Sequence, residues 1–561
     1  MCNDEKYLNK YKKKLCTEVA ANEFYSNMLR DIKEVYQKLC CKPIKVLSYS
    51  YWKIFYESGS RAEYEGMYFS RRGELCCCAI LYLIYNDKKY LDRLENVIWA
   101  VCDEYSWALP AHLKEEDSVE YQQIYIDIFA AETAQTLSEI YNLLGDELSV
   151  LIKRRIKKEM NRRIFDSFES QRFFWDSITN NWAPVCAGCV GMAYMYMAPE
   201  RFKVSENRIL GIMNNYLSGY GDDGICSEGL SYWNYGFGYY VYFADMLYEF
   251  TNGKTDILKY DKVKNIACFQ QNVFIRKNIT ASFSDSAMTE KYSPALTCYL
   301  AKRFNEVVIP KAGYAKLPSE DTCFRFAAII RGFAWTETIN TKASQPPETM
   351  NYFKNFNWYI NRRERYSFAL KGGNNAESHN HNDLGSFIIA DDSGQILADI
   401  GGGEYTKDYF DDAKRYNYLC NASFGHSVPI IDGGGQLTGK ECSAFITAYD
   451  KNSVELEIKN AYKTQTVIKR KFYFDKACVK IDDEYSFADG EKHDIQERFI
   501  SIIKPEIINK SVKIGGSIIT CSMTPNISSK TIKDHKSKDL IVYFTDYSVY
   551  GNSFSAEICF D

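Results

Sequence analysis

Tyr121–Leu144 reads YQQIYIDIFAAETAQTLSEIYNLL, and Gly145-Asp146 closes it. Apolar residues recur there at three- and four-residue spacing and proline is absent, the pattern of a packed helix. The same period continues outward through Glu23–Cys40, Arg71–Tyr85, Tyr90–Tyr105, Glu147–Phe168 and Gly236–Phe250. Helices joined by short turns predict helical hairpins packed side by side, as a solenoid or closed toroid, over residues 1–341. Lys342–Pro347 (KASQPP), with two prolines, reads as a linker. Beyond it the period becomes two: Phe356–Ile360, Tyr366–Leu370, Ser386–Ala390, Gln395–Asp399, Ser453–Ile458, Thr466–Phe474, Cys478–Ile481 and Asp539–Phe544. Turn signals such as Asp392-Ser393-Gly394, Asp432-Gly433 and Asp489-Gly490 separate these runs, so residues 348–561 predict an antiparallel β-sandwich. The fold class is therefore multidomain α+β, all-helical first and all-strand second. A ligand groove is expected between the two halves, because ligand sites favour domain interfaces.

Composition narrows the function. Of 561 residues, 69 are Lys or Arg and 73 are Asp or Glu, a net charge of −4, which argues against a nucleic-acid partner. No apolar run approaches the length of a membrane span, and the start, MCNDEKYLNKYKKKLC, lacks the apolar core of a signal peptide. The 19 cysteines show no paired CxxC spacing, so reduced, buried thiols and a cytoplasmic location are expected. Forty-four tyrosines and 8 tryptophans suit a groove that stacks sugar rings, and equally a Tyr-rich core.

Three clusters carry candidate chemistry. Three of the six histidines fall close together: His379 and His381 in ESHNHNDLGSF, and His426 in SFGHSVPIIDG. On a strand, His379 and His381 would share a face, and Asp399 follows at the end of a strand in LADIGGG. An isolated histidine ordinarily satisfies local polar groups, but two neutral imidazoles and a carboxylate beside Gly401-Gly402-Gly403 form a set suited to zinc. The second cluster, DSITNNWAPVCAG (Asp176–Gly188), reads by itself as the cap of a helix, with Asn180-Asn181 before Trp182 and Pro184 in the first turn. The third, GDDGICSEGLSYWNYGFGYY (Gly221–Tyr240), is an acidic glycine-rich loop leading into a helix with Tyr232 and Tyr235 one turn apart. Core packing is the ordinary explanation of such a pair. Neither a phosphate-binding glycine loop nor a GxSxG elbow is present.

ESHNHNDLGSF, LADIGGGEY and SFGHSVPIIDG together resemble the C-terminal domain of the heparinase II/III-like polysaccharide lyases. YSWALPAH (Tyr105–His112), IDIFAAETA (Ile126–Ala134), TNNWAPVCAG (Thr179–Gly188) and SEGLSYWNYG (Ser227–Gly236) resemble motifs of that family's helical half. The resemblance runs from about residue 50 to 500 in family order. It implies an N-terminal (α/α) toroid, a C-terminal β-sandwich, and cleavage of uronic-acid-containing glycans by β-elimination to unsaturated uronate products. It further implies that Asn181 neutralises the uronate carboxylate, that Tyr235 protonates the leaving oxygen, with Tyr232 as the alternative, and that His379 is a base. His381, Asp399 and His426 resemble the ligands of a structural zinc. Relatives with a second histidine carry it beside the asparagine, where this chain has Trp182.

The expected activity is that of a carbon–oxygen lyase on glycosaminoglycan-type poly- or oligosaccharides. Alginate or oligoalginate is the alternative substrate. A toroid glycoside hydrolase with paired carboxylates and a non-catalytic carbohydrate binder are the competing classes. Self-association into a homo-oligomer is left open. The reading requires Asn181 and His379 to serve one sugar ring.

Overall fold

The computed structural model describes residues 8–336 and 348–560; the linker expected at Lys342–Pro347 lies outside the described residues. The chain divides into two compact units. The first comprises residues 8–219, 234–264 and 292–336, and the second 220–233, 265–291 and 348–560. The second unit thus takes in two stretches that precede the expected boundary, 220–233 and 265–291, and the boundary itself lies outside the described residues.

The first unit is helical. Its main elements are α1 (Ser26–Cys40), α2 (Ala62–Tyr85), α3 (Lys88–Cys102), α4 (Ile128–Leu144), α5 (Trp182–Met197), α6 (Pro199–Ser218), α7 (Gly238–Phe250) and α8 (Phe326–Trp335). Consecutive helices pack as hairpins, α2 against α1 and α3, and α5 against α4, α6 and α7. The sequence of α5, WAPVCAGCVGMAYMYM, is apolar on all sides, and such a helix is stable only when surrounded. Residues from Ala183 to Met195 are all buried. No helix among the described residues is long and apolar enough to cross a membrane.

Three expected helices are interrupted, Glu147–Phe168 among them by a π-turn over Asn161–Phe165. Tyr121–Leu144 is not continuous: a helix over Val119–Ile124 ends, and α4 starts at Ile128. Asp127 is extended, and its carboxylate accepts the Ala130 N–H at 2.7 Å, capping α4. The apolar period runs through this break and hides it. Likewise, α7 is preceded by a π-turn over Trp233–Phe237, which changes the phase between Tyr232 and the helix that follows.

The second unit is built from antiparallel sheets. One has the order β1-β2-β3-β5-β6, where β1 is Thr349–Phe353, β2 Trp358–Arg362, β3 Ser367–Leu370, β5 Phe387–Asp391 and β6 Gly394–Leu397. A nine-stranded sheet runs β13-β14-β15-β18-β11-β10-β9-β8-β4. In it β4 is Gly373–Asn375, β8 Gly439–Tyr449, β9 Ser453–Lys459, β10 Thr466–Phe474 and β11 Cys478–Phe487. Its far side is β13 (Glu506–Ile508), β14 (Ser511–Ile514), β15 (Ser517–Cys521) and β18 (Ser553–Phe560). The third sheet is β16-β17-β12-β7: Pro525–Lys533, Asp539–Val549, Ile495–Ser501 and Ile430–Ile431. Inward residues alternate with outward ones along β9 and β10, as a sandwich requires. The Phe368 ring lies 4.7 Å from Phe472 and 4.8 Å from Phe474, and Phe387 lies 4.9 Å from Phe472, joining two sheets through aromatic contacts. The expected toroid-plus-sandwich architecture is therefore borne out, with strand positions within a few residues of those read from alternation.

The thiols differ in one respect. Cys478 on β11 and Cys559 on β18 stand directly opposite each other and form a disulfide, where reduced thiols alone were expected. Adjacent antiparallel strands bring the two side chains together despite a sequence separation of 81.

Arg470 occupies an inward position of β10 and is fully buried. It is held by Asp483 of β11 at 2.7 Å and Glu497 of β12 at 2.9 Å, and donates to the carbonyls of Gly385 and Ser427. Burial pushes Glu497 up to about 8 despite Arg470. Removing the cation alone leaves two buried carboxylates unpaired. Arg470→Met is expected to cost roughly 3–5 kcal/mol in chemical denaturation. Replacing all three charged residues with apolar ones should restore most of that loss. A wild-type midpoint for Arg470→Met would show that the cation does not hold the sheets.

Candidate functional site

In the second unit the site is organised by Asp285, in the segment ASFSDSAM that follows a short hairpin of Phe274–Arg276 with Ile279–Thr280. Asp285 is fully buried and accepts four hydrogen bonds. Oδ2 takes His379 Nδ1 at 2.6 Å and the Tyr405 hydroxyl at 3.1 Å. Oδ1 takes His381 Nε2 at 3.1 Å and the Tyr409 hydroxyl. Burial alone would raise its pKa, but the hydrogen bonds from His379 and His381 hold it well below the usual carboxylate range. An ionised carboxylate only accepts, so His379 carries its proton on Nδ1 and His381 on Nε2. Each bond also fixes which nitrogen is left over.

The two histidines are therefore not aligned by a strand, as alternation suggested. His379–Asp383 is a turn between β4 and β5, and His379 takes a left-handed backbone at φ +53°. The histidines approach Asp285 because that turn curls around it. Burial opposes the charged imidazolium of His379, but the Asp285 carboxylate outweighs this and raises its pKa. The Tyr232 ring stacks on His379 with centroids 4.1 Å apart, and its hydroxyl lies 2.8 Å from that of Tyr405. Tyr232, Tyr405, Asp285 and His379 thus form one connected set.

His381 and His426 lie with ring centroids 5.3 Å apart. His426 Nε2 is 2.8 Å from the Cys420 carbonyl, an acceptor, so that nitrogen holds the proton. Its Nδ1 lies 3.1 Å from Asp399 Oδ2 and donates to that carboxylate when protonated, a contact that raises the imidazole pKa against burial. His381 Nδ1 and Asp383 Oδ2 are buried without a hydrogen bond among the described residues. Ligand atoms of His381, Asp383 and His426 fall within 4.8 Å of one another. Of the expected set, His381 and His426 come together, whereas Asp399 reaches His426 at 3.1 Å without joining the group whose ligand atoms share that spacing. Asp383, whose other side is bound to Lys371 at 2.6 Å, joins them although it was not singled out in the sequence.

The first unit carries a second group. Asn181 is the buried residue preceding α5. The expected cap comes instead from Asn180, whose side chain accepts the Trp182 N–H at 3.1 Å. Asn181 packs against the π-turn: a Cβ on Gly236 would lie 3.0 Å from the Asn181 Cβ, so only glycine admits this approach. Tyr235, in the same turn, has Arg325 over its ring at 4.1 Å, and its hydroxyl is buried beside the Glu132 carboxylate without a hydrogen bond of good geometry. Burial and Glu132 together push that phenol well above its ordinary value, against Arg325. Arg325 itself binds Glu132 at 2.9 Å and Asp321 at 2.8 Å. Asn234 Oδ1 and the Tyr239 hydroxyl nearby in sequence are also buried without partners among the described residues.

His112, at the end of YSWALPAH, is a further histidine of the first unit. Its Nδ1 lies 2.7 Å from Asp127 Oδ2, and its ring meets the edge of Trp182 at 4.8 Å. Asp127 is fully buried and caps α4, so the break in Tyr121–Leu144 is what presents it. A carboxylate fifteen residues after a histidine, at the start of an apolar helix, was the available signal.

Residues 345–542 match the family described as Heparinase II/III-like, C-terminal. The second unit contains a heparinase II/III-like domain. The resemblance read in HNHND and LADIGGG is borne out by that match. The chain is also similar in structure to the heparan sulfate lyase HepC from Pedobacter heparinus, at 14% identity, TM-score 0.61, covering 98% of this chain and 87% of that one. It is similar to the Streptomyces coelicolor A3 chondroitin AC lyase in complex with chondroitin sulphate, at 10% identity, TM-score 0.59, covering 98% and 82%. At these identities the likeness establishes the fold. No curated protein matches the chain.

The heparinase II/III-like domain depends on a close backbone approach. Gly401, at φ +64°, lies against Ser286, the residue after Asp285, and a Cβ there would meet the Ser286 carbonyl oxygen at 1.9 Å. Gly401→Ala is expected to destabilise by at least about 1–3 kcal/mol for the left-handed backbone alone, with the clash added. Thermal denaturation should show this together with displacement of Asp285. A variant as stable as the parent would mean that the approach is not needed.

Proposed function

We propose that the protein is a polysaccharide lyase that cleaves uronic-acid-containing glycans, of glycosaminoglycan type, by β-elimination. One observation carries the reading. Within a heparinase II/III-like domain, an imidazole that retains some exposure is fixed by a buried carboxylate and stacked on a tyrosine.

The C5 proton of a uronate is weakly acidic because the adjacent carboxylate already bears a charge. Its removal spreads a second charge onto that carboxylate. Asn181, at the start of α5, is the proposed donor to the carboxylate oxygens, and the helix N-terminus favours the same charge. His379 is the base. Asp285 holds Nδ1–H, so Nε2 carries the lone pair that takes the C5 proton. The glycosidic oxygen then leaves with a proton from a tyrosine. Tyr232 is preferred to Tyr235 for this step, because it lies on His379 and its hydroxyl is bonded to Tyr405. His112, held by Asp127 and packed on Trp182, is the proposed second imidazole of the helical unit, in place of a histidine beside Asn181.

The donor set around His381 fits zinc. Both histidines present Nδ1 with Nε2 occupied by an acceptor, and Asp399 and Asp383 supply carboxylates. We assign His381, Asp399 and His426 as the ligands, with Asp383 beside them. When bound, zinc would supply charge and rigidity to the turn that carries His379, a structural role.

Incubation with heparan, chondroitin, hyaluronan and alginate oligosaccharides is expected to raise the ultraviolet absorbance of a conjugated C4–C5 double bond with a glycosaminoglycan. A rise with alginate alone would move the assignment to that polymer. Cleavage without the rise would indicate a hydrolase. His379→Ala and Tyr232→Phe should each lower the rate by about 10²–10⁴-fold, and Asn181→Ala by about 10²–10³-fold. If Tyr235→Phe is the inactive variant and Tyr232→Phe is not, the proton donor is Tyr235. His426→Ala should release metal and lower the melting temperature; unchanged metal content would remove it from the ligand set.

A further inference from the structure

Cys76-Cys77-Cys78 in α2 has no part in the chemistry above. Cys77 and Cys78 are fully buried, and both point toward Cys40, the last residue of α1, which is half-buried. The Cys40 sulfur lies 3.6 Å from that of Cys77 and 3.6 Å from that of Cys78, and all three fall within 4.8 Å of one another. A disulfide would need sulfurs about 2.05 Å apart. Thiolates sharing one tetrahedral ion with bonds of about 2.3 Å stand roughly 3.8 Å apart. The spacing is that of ligands around a common centre.

The charges nearby agree. Arg93 of α3 donates to Glu74 at 2.9 Å and to the Lys42 carbonyl at 2.9 Å, which places its guanidinium beside the end of α1. Donation from the Cys77 and Cys78 thiols, against the effect of burial, holds Cys40 well below the ordinary thiol range, and Arg93 adds to this. Three sulfurs are thus already gathered beside a cation. A divalent ion bound by three thiolates leaves one surplus negative charge beside Arg93, whereas a monovalent ion leaves two. The partial exposure of Cys40 provides entry for the ion and room for water as a fourth ligand.

We propose that Cys40, Cys77 and Cys78 form a binding site for a thiophilic divalent cation of the zinc class, separate from the histidine set of the heparinase II/III-like domain. Binding converts those of the three thiols that are protonated to thiolates and releases their protons, with no change in oxidation state. The proposal does not depend on the lyase reading.

The test uses the full chain, reduced and stripped of metal with a chelator, and titrated with cadmium(II) alone while thiolate-to-metal charge-transfer absorbance is followed. One equivalent of absorbance is expected that is lost in Cys40→Ser and in Cys78→Ala but kept in His426→Ala. Cys40→Ser changes a half-exposed helix end, so its circular dichroism should match the parent and a missing band cannot be ascribed to unfolding. Zinc(II) should compete the cadmium signal away. Identical titrations of the parent and Cys40→Ser would overturn the proposal. So would recovery of the purified chain with Cys40 in a disulfide to Cys77 or Cys78 and no metal uptake after reduction.

Discussion

A single buried carboxylate sets the geometry of the candidate site. Asp285 has no solvent contact and four donors, two imidazoles and two phenols. A buried carboxylate is tolerable only when so satisfied, so the donors cannot drift without a large cost. The same anion binds two histidines through opposite nitrogens. His379 is held by Nδ1 and offers Nε2, whereas His381 is held by Nε2 and offers Nδ1. One imidazole thereby keeps Nε2 free of that carboxylate and its neighbour, two residues away, keeps Nδ1 free of it.

That arrangement needs rigid support. The segments that meet around Asp285 are loops and turns, apart from the short 3-10 helix Asp408–Phe410 that carries Tyr409. The Ser282 hydroxyl donates to the Asp399 carbonyl, Ser286 accepts the Leu230 N–H, and Ser378 donates to Glu228. Each segment leaves a strand or a short helix whose core packing is complete, so the sheets fix where the loops begin and end. His379 itself takes a backbone that non-glycine residues avoid. Strain of that kind persists only where surrounding bonds over-determine it, and here the bond to Asp285 and the stack on Tyr232 do so.

Periodicity made the architecture legible, because burial imposes the period of 3.6 residues in α5 and of two in β10 whatever the partners are. It could not reveal where a helix is interrupted by a cap whose apolar phase continues, as at Asp127. The histidine set was legible because histidine is rare in this chain and Asp399 ends a strand run. Asp285 was not: it lies 94 positions before His379, in a serine-rich segment with no local pattern, and its role arises only from tertiary approach. Asp383 was hidden differently, since a carboxylate beside two histidines reads as a turn residue until its oxygen is found without a partner. The disulfide between Cys478 and Cys559 was equally invisible, because cross-strand pairing depends on register.

The two tyrosines show why spacing alone misleads. Residues three apart on an α-helix share a face, so Tyr232 and Tyr235 read as interchangeable. The π-turn between them breaks that equivalence, and they fall in different compact units. A phenol that gives up its proton must have its new charge stabilised. Beside Tyr235 stands the Glu132 carboxylate, which opposes that charge, although Arg325 relieves part of it. Tyr232 instead touches the hydroxyl of Tyr405, whose proton rests on Asp285. Asp285 keeps three other donors, so the Tyr405 proton can turn toward a Tyr232 phenolate without leaving the buried carboxylate bare. The network that fixes His379 therefore also offers the Tyr232 hydroxyl a partner, so in the proposed reaction both proton transfers would share one hydrogen-bonded frame.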